Sequence, residues 1–549
     1  MTLAVFALAL AGAWASGITE SGILSGVVPM FDSASYYTDA LRLLVGDEFS
    51  VTSSRRPLFI AFFAVLLFIS NHNLMVALGI LNLLVAVSCY LLAREIRRTH
   101  GAGMAAFVLL ILFMYYRFHS GAVRTESLGV ALGALGTAFF WRSISRQEGK
   151  FALLGVLLTT LAMIARAGAF FSLPLLILWG SSTFRRPGKK LSWGFVLSGL
   201  GLVLGAFFLN QIVIQTFGTY EAIPFGNFSY SFYGLASGGK SWADVQKVHP
   251  GASDLEIYGL AFELIRDQPG LLVQGVFYNW KTFFSNSNYG LFSFMGGETF
   301  ASATVSYWLL AVLCCLGIIG WLRNPGDQFA RFVMVAAAGV FISVPFLPPA
   351  DAFRMRAYAA SIVVIGLLPG LGLHSLLRRF RNFPLPLQAD FPASLALPGF
   401  SAAFLGLVLL GPFLLHGVEP PSALSPAGCP AGMTSLIVRY DPGTMIHLVP
   451  QKTQVLEWAP VYKTGNFQRN LHDFPNYAFA DWASEIKPGY SLFYAIDRRA
   501  SGMALIVIPI AFLPDPPAML EVCGKWETDP EIVQFFVFDA QFATKVGMP

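Results

Sequence analysis

Asp32, Glu126 and Asp351 stand near arginines at the margins of long apolar runs. The neighbours are Arg55 and Arg56, Arg117, His119 and Arg124, Arg166, and Arg354 with Arg356. Ionisable groups at membrane depth are costly, and they tend to be paired or functional. A guanidinium binds phosphate oxygens bidentately and keeps its charge when partly desolvated. A carboxylate facing the same space can take a proton from a hydroxyl. Together these groups suit displacement of a lipid phosphate from the anomeric carbon of a sugar. The base removes the attacking hydroxyl's proton, and the arginines stabilise charge on the leaving phosphate. Structural readings stand beside this one. Arg55 and Arg56 also suit interfacial anchoring, Arg117 and Arg124 an ion pair with Glu126, and Asp351 with Arg354 a helix-end pair. Asp32 also suits a helix N-cap.

The elements that position these residues are apolar. Of 549 residues, 55% are hydrophobic and 12% charged, where soluble domains carry roughly a quarter charged. The mean hydropathy is +0.61. Eleven runs read as candidate membrane spans, near 2–18, 73–93, 102–116, 126–143, 151–166, 168–183, 191–211, 301–322, 330–347, 356–373 and 397–416. The run 57–70 follows Arg55-Arg56-Pro57, is too short to span comfortably, and reads as a helix lying at the interface. Residues 2–15 end in Ala13-Trp14-Ala15, as a signal peptide would, but no basic residue precedes them. They are read as a first membrane helix, with a cleaved signal peptide as the competing reading.

Basic loop residues set the topology. With the N-terminus inside, the short loops holding Arg94, Arg97, Arg98; Arg142, Arg146, Lys150; Arg185, Arg186, Lys189, Lys190; Arg323, Arg331; and Arg378, Arg379, Arg381 all fall on the cytoplasmic side. The remaining ionisable set then converges on the outer side. Three larger pieces lie outside: 19–72, 212–300 and 417–549. The last opens with Glu419-Pro420-Pro421 and alternates β-like runs (434–438, 504–508) with turns, which reads as a small α+β domain. The fold class is therefore mainly α: a polytopic transmembrane bundle over 1–416 with an extracytoplasmic domain over 417–549.

Several classes are disfavoured. The net charge of +5 comes without a basic tail, so nucleic acid is not an expected partner. No His/Cys cluster has metal-ligand spacing, and no cofactor is expected, with a divalent metal left open. Cys89, Cys314 and Cys315 lie in apolar runs, whereas Cys429 and Cys523 lie in the polar C-terminal part and are candidates for a disulfide. The segment 227–240 reads equally as a mobile loop over a cleft or as an irregular connection.

The order of these motifs resembles the GT-C superfamily of integral membrane glycosyltransferases, in particular the branch similar to aminoarabinose transferase and the protein mannosyltransferases. Asp32 with Tyr36, Arg56-Pro57, Thr125-Glu126-Ser127-Leu128, Arg166 with Pro174, and the run Asp351-Ala352-Phe353-Arg354-Met355-Arg356-Ala357-Tyr358 carry the resemblance, over roughly 1–416. It implies a polyprenyl-phosphate sugar donor, a glycan, lipid or protein acceptor, and inverting transfer at the outer face of a bilayer. A bacterial inner membrane suits this reading. It further implies Asp32 as catalytic base, and Glu126 as a catalytic residue that orients acceptor or positions an arginine. Arg55, Arg56, Arg166, Arg354 and Arg356 become donor-phosphate ligands. Tyr36, Tyr37, Arg124, Asp351 and Tyr358 become substrate contacts. A transporter of lipid-linked sugars, or a membrane-anchored binding or assembly protein, are the competing readings. The absence of internal repeats weighs against the transporter.

Overall fold

The structure is a computed structural model that describes residues 1–16, 23–24, 28–29, 32–219, 223, 226–242, 244–296, 300–347, 353–380, 395–419, 428–440, 490–497, 502–515, 518–527 and 536–546. The first part contains α1 (Thr2–Ser16), a two-residue ladder of β1 (Ile23–Leu24) and β2 (Val28–Pro29), then α2 (Asp32–Val45), α3 (Val51–Ser54) and α4 (Pro57–Ile69). The bundle continues with α5 (Leu74–Tyr116), α6 (Thr125–Arg146), α7 (Gly149–Ala165), α8 (Ser172–Thr183) and α9 (Trp193–Phe217). A layer of α10 (Asn227–Ala236), α11 (Asp244–Val248), α12 (Asp254–Asp267) and α13 (Pro269–Phe283) follows. Then come α14 (Phe300–Arg323), α15 (Gln328–Ser343), a 3-10 segment (Phe353–Ser361), α16 (Ile362–Phe380), α17 (Ala396–Leu409) and α18 (Gly411–Leu415).

All eleven apolar runs are helical for most of their length, but fewer of them form helices of spanning length. Among the described residues, six helices are long and apolar enough to cross a membrane: 74–116, 125–146, 193–217, 303–323, 328–346 and 353–379. The runs 73–93 and 102–116 lie in the single element α5, broken at Gly101, whose φ of +83° suits glycine. The helices Thr2–Ala15, Pro57–Ile69, Gly149–Ala165 and Ala396–Leu409 are apolar but shorter. The run 57–70, read as an interfacial helix, is packed within the protein. Pro57 through Leu67 are all buried, because the helix is apolar on every side and packs among α2, α5, α9 and α17. The segment 227–240, read as a loop, starts with the ten-residue helix α10.

α6 is the axis of the bundle, with every residue from Thr125 to Ile144 buried. Between membrane helices the driving force is close packing rather than exclusion of water, and small residues allow it. Gly129 and Gly133 sit one turn apart against the 3-10 segment. A Cβ on Gly129 would lie 3.1 Å from Arg166 Cβ and 3.5 Å from Ala359 Cβ, and one on Gly133 would strike the Ala360 carbonyl. Gly136 likewise admits the backbone of α7 at Gly155. This approach fixes the relative heights of α6, α7 and the 3-10 segment. At the far end of α6, Trp141 packs with His100 and Phe329, and His100 packs with His374. That cluster lies among the basic loop residues, fifteen positions from Glu126, or about 22 Å along the helix.

The C-terminal part contains the strands of the α+β expectation, and residues 441–489 lie outside the described residues. Its described residues form a closed five-stranded barrel of β3 (Thr434–Tyr440), β4 (Tyr490–Asp497), β5 (Gly502–Pro509), β6 (Ala518–Glu527) and β7 (Phe536–Val546), with one 3-10 turn and no α-helix. The order is β3-β4-β5-β7-β6; β5 and β7 run parallel and the other pairs antiparallel. Period-two alternation sends Ile506, Ile508, Leu520, Val522, Phe538 and Ala540 into its core. Cys429 and Cys523 are joined in a disulfide, with Cα atoms 5.5 Å apart.

Candidate active site

Three segments distant in sequence meet at the N-terminal end of α6. Glu126 sits in its first turn and is fully buried, at 0% exposure. Arg356 donates from Nε to Glu126 Oε1. Arg166, at the C-terminus of α7, places Nη2 3.7 Å from the same oxygen. Thr125 Oγ1 donates to the other oxygen at 3.2 Å. Arg356 also reaches Asp32, with Nη2 3.5 Å from Oδ2. Arg356 therefore bridges a buried carboxylate and an accessible one, since the Asp32 side chain is 49% exposed. Asp32 opens α2, where a carboxylate also complements the helix dipole.

The backbone that delivers Arg356 is unusual. Arg354 and Met355 both adopt left-handed conformations, with φ of 53° and 59°. Such residues cost of order 1–3 kcal/mol each and persist where their surroundings hold them. Here Arg354 N–H donates to the Asn288 carbonyl at 3.0 Å, and the buried Met355 accepts at Sδ from Phe292 N–H at 3.3 Å. Tyr115 OH donates to the Arg356 carbonyl at 3.4 Å. The Arg354 guanidinium lies 3.8 Å from the centre of the Phe118 ring.

Arg124 is the least satisfied cation. It is 3% exposed, makes no ion pair among the described residues, and its Nε and Nη2 have no hydrogen-bond partner. Its Nη1 donates to His119 Nδ1 at 3.3 Å, which requires the neutral imidazole. Burial pulls the His119 pKa down to about 3, with Arg124 and Arg356 acting in the same direction and Glu126 opposing. Burial, then the charge of Arg356, lowers Arg124 to about 10, which leaves it cationic at neutral pH. Arg56 also has no ion pair among the described residues, and its charge is felt at Tyr36 and Arg166. Three guanidinium groups (Arg124, Arg166, Arg356) thus face two carboxylates (Asp32, Glu126) among the described residues, an excess of one positive charge, to which Arg56 adds its field at Arg166.

Other expected site residues are placed elsewhere or differently. Arg55 is taken up by a bidentate contact with Asp254 (2.8 and 3.2 Å) and a bond to Asn227 Oδ1 at 2.9 Å. It ties α3 to the starts of α10 and α12. Tyr36 and Tyr37 are buried in the core, and Tyr36 lies edge-on to Phe59, so neither ring presents a free face to a sugar. Burial, then the charge of Asp32, raises the Tyr36 pKa. Tyr358 is buried and donates to the Leu347 carbonyl at 2.9 Å, which is a structural contact. Glu126 pairs with Arg166 and Arg356, whereas Arg117 donates to the Gly296 carbonyl. Asp351 lies outside the described residues. Asp39, one helical stretch beyond Asp32, is buried and held by Ser50 Oγ at 2.5 Å and Arg42 at 3.5 Å. Sequence reasoning gave no role to Gly129 and Gly133, although their i,i+4 spacing is a recognisable packing signal.

Among the described residues, Cys429, Glu521 and Cys523 form the one grouping of three potential metal donors. Its two cysteines are disulfide-bonded, so it does not fit a metal.

No family model and no curated protein matches the sequence. Among solved structures, the chain is similar to an oligosaccharyltransferase from Archaeoglobus fulgidus tethered by a disulfide to an acceptor peptide containing an NVT sequon. The identity is 12% and the TM-score 0.37, over 77% of this chain and 55% of that one. The chain thus spans little more than half the length of that enzyme.

Proposed function

We propose that the protein is a GT-C-type glycosyltransferase that moves a sugar from a polyprenyl-phosphate carrier to an acceptor hydroxyl at the membrane surface. The observation that carries this reading is the imbalance at the end of α6. Among the described residues, three guanidinium groups face two carboxylates, and Arg124 is buried with N–H groups unmet. Uncompensated buried cations are costly, and an anionic ligand would relieve them. A phosphate linked to a membrane lipid has the charge and the location for this site.

The chemistry assigns different tasks to the two carboxylates. Asp32 is exposed and takes the acceptor's hydroxyl proton. The acceptor oxygen bonds to the anomeric carbon as the bond from that carbon to the phosphate oxygen breaks, which inverts its configuration. The electron pair leaves with polyprenyl phosphate, whose growing charge Arg56, Arg124, Arg166 and Arg356 stabilise. Glu126, with no exposed surface, acts as a positioning residue for Arg166 and Arg356.

Binding of a short polyprenyl phosphate to the purified chain tests the phosphate site. Hydrogen bonds to charged groups contribute about 1.5–3 kcal/mol, so Arg124→Gln should weaken binding about 10- to 150-fold. Unchanged affinity in Arg124→Gln, with the fold intact, would remove the site. A transporter would move the lipid across the bilayer without cleaving the sugar–phosphate bond.

A further inference from the structure

We infer that α13 is a membrane-surface helix, half-sunk into the leaflet on the same side as the candidate active site, with outer-leaflet acyl chains covering one stripe of it. Val273, Phe277, Trp280 and Phe284 fall at i, i+4, i+7 and i+11, which places them in one line on a helix. Phe277 is 64% exposed, and Val273 and Phe284 are exposed with it. Lys281 and Gln274 flank the stripe on its other exposed side. The opposite face is packed: Gly275, Asn279 and Phe283 are buried, and a Cβ on Gly275 would strike the Leu235 carbonyl of α10. The exposed stripe thus lies on the side of α13 turned away from α10.

What covers it follows from continuity with a spanning helix. Trp280 stacks on Phe341 of α15, with centroids 5.0 Å apart and planes 5° apart, and its Nε1–H donates to the Phe341 carbonyl at 3.1 Å. Asn279 Nδ2 donates to the Pro345 carbonyl at 2.9 Å. Phe341 and Ile342 are themselves exposed on a helix long and apolar enough to cross a membrane. The exposed apolar surface of α15 thus continues through the Trp280–Phe341 contact onto the stripe, which runs about 16 Å along α13. Surface that adjoins the lipid-facing side of a span at this height meets lipid. Tryptophan at the junction and a lysine beside the stripe, able to reach the headgroups, are the residues an interfacial helix uses.

The test is accessibility in nanodiscs that each hold one full-length chain, with the free cysteines Cys89, Cys314 and Cys315 replaced by alanine. A water-soluble maleimide should label Phe277→Cys and Val273→Cys at least about tenfold more slowly than Lys281→Cys. A nitroxide at Phe277→Cys should relax strongly with oxygen and weakly with an aqueous nickel chelate, and the reverse should hold at Lys281→Cys. Equal labelling of Phe277→Cys and Lys281→Cys would overturn the inference. Protection that appears only in discs holding two chains would assign the stripe to a second copy and also overturn it. None of these readouts depends on catalysis or on donor binding.

Discussion

Replacing Glu126 by Gln should destabilise the protein by about 3–5 kcal/mol, the usual cost of breaking a buried ion pair. The size follows from the geometry. Glu126 is the one fully buried negative charge among Arg124, Arg166 and Arg356. With Arg166 3.7 Å away, an effective dielectric of about 20 gives that pair roughly 4 kcal/mol of attraction. The contact with Arg356 is closer, and relief from carboxylate desolvation offsets part of the total. Equilibrium unfolding in mixed micelles would measure the loss. The stronger test is a double-mutant cycle with Arg166→Gln. Removing Arg166 as well takes away one of the two charges that Glu126→Gln strands, so the double variant should lose less than the sum of the single variants. A coupling of about 1–3 kcal/mol is expected for groups in one network. Additive losses, with coupling below about 0.5 kcal/mol, would refute the view that Glu126 and Arg166 form one electrostatic unit.

Two further perturbations probe the surroundings of the site. The buried His119 has a folded pKa near 3, below the roughly 6.5 of the unfolded chain, so the unfolded state gains the proton first. His119 should therefore cost stability as pH falls below about 6.5 towards 3, and His119→Gln should flatten that part of the stability curve; an unchanged slope would contradict the assignment. Arg55→Gln should release α10 and α12, seen as faster amide exchange over 227–236 and 254–267, while affinity for polyprenyl phosphate stays within about threefold, because Arg55 is committed to Asp254 and Asn227. A large loss of phosphate affinity would return Arg55 to the donor site.

Local properties of the sequence were legible, and relations between distant segments were less so. Apolar runs mark the helices because each span must satisfy its own backbone hydrogen bonds in lipid. Which helices cross is harder to read, since α4 is as apolar as a span yet lies buried inside the bundle. Asp32, Glu126, Arg166 and Arg356 were recognisable as costly charges, and the structure brings them together. Their pairing depends on the close packing at Gly129 and Gly133, which composition does not reveal. Arg55 and Arg56 show the limit most clearly. They are adjacent and identical, yet one is spent on Asp254 and the other lies near enough to Arg166 for its charge to be felt there. Tyr36 and Tyr37 suited substrate contact by type, but α2 packs against α4 and buries both. Of the barrel's strands, only β3 and β5 had a visible β-like pattern in the sequence.

The central claim is that Asp32 removes the acceptor proton while the arginines hold the phosphate. Turnover by Asp32→Asn with a polyprenyl-phosphate sugar donor tests it most directly, with donor binding measured in parallel. Loss of a general base lowers the rate by about 10²–10⁴-fold, so release of polyprenyl phosphate should fall by that factor while donor affinity stays within about threefold. Full turnover in Asp32→Asn, or a loss of donor binding as large as the loss of turnover, would contradict the account.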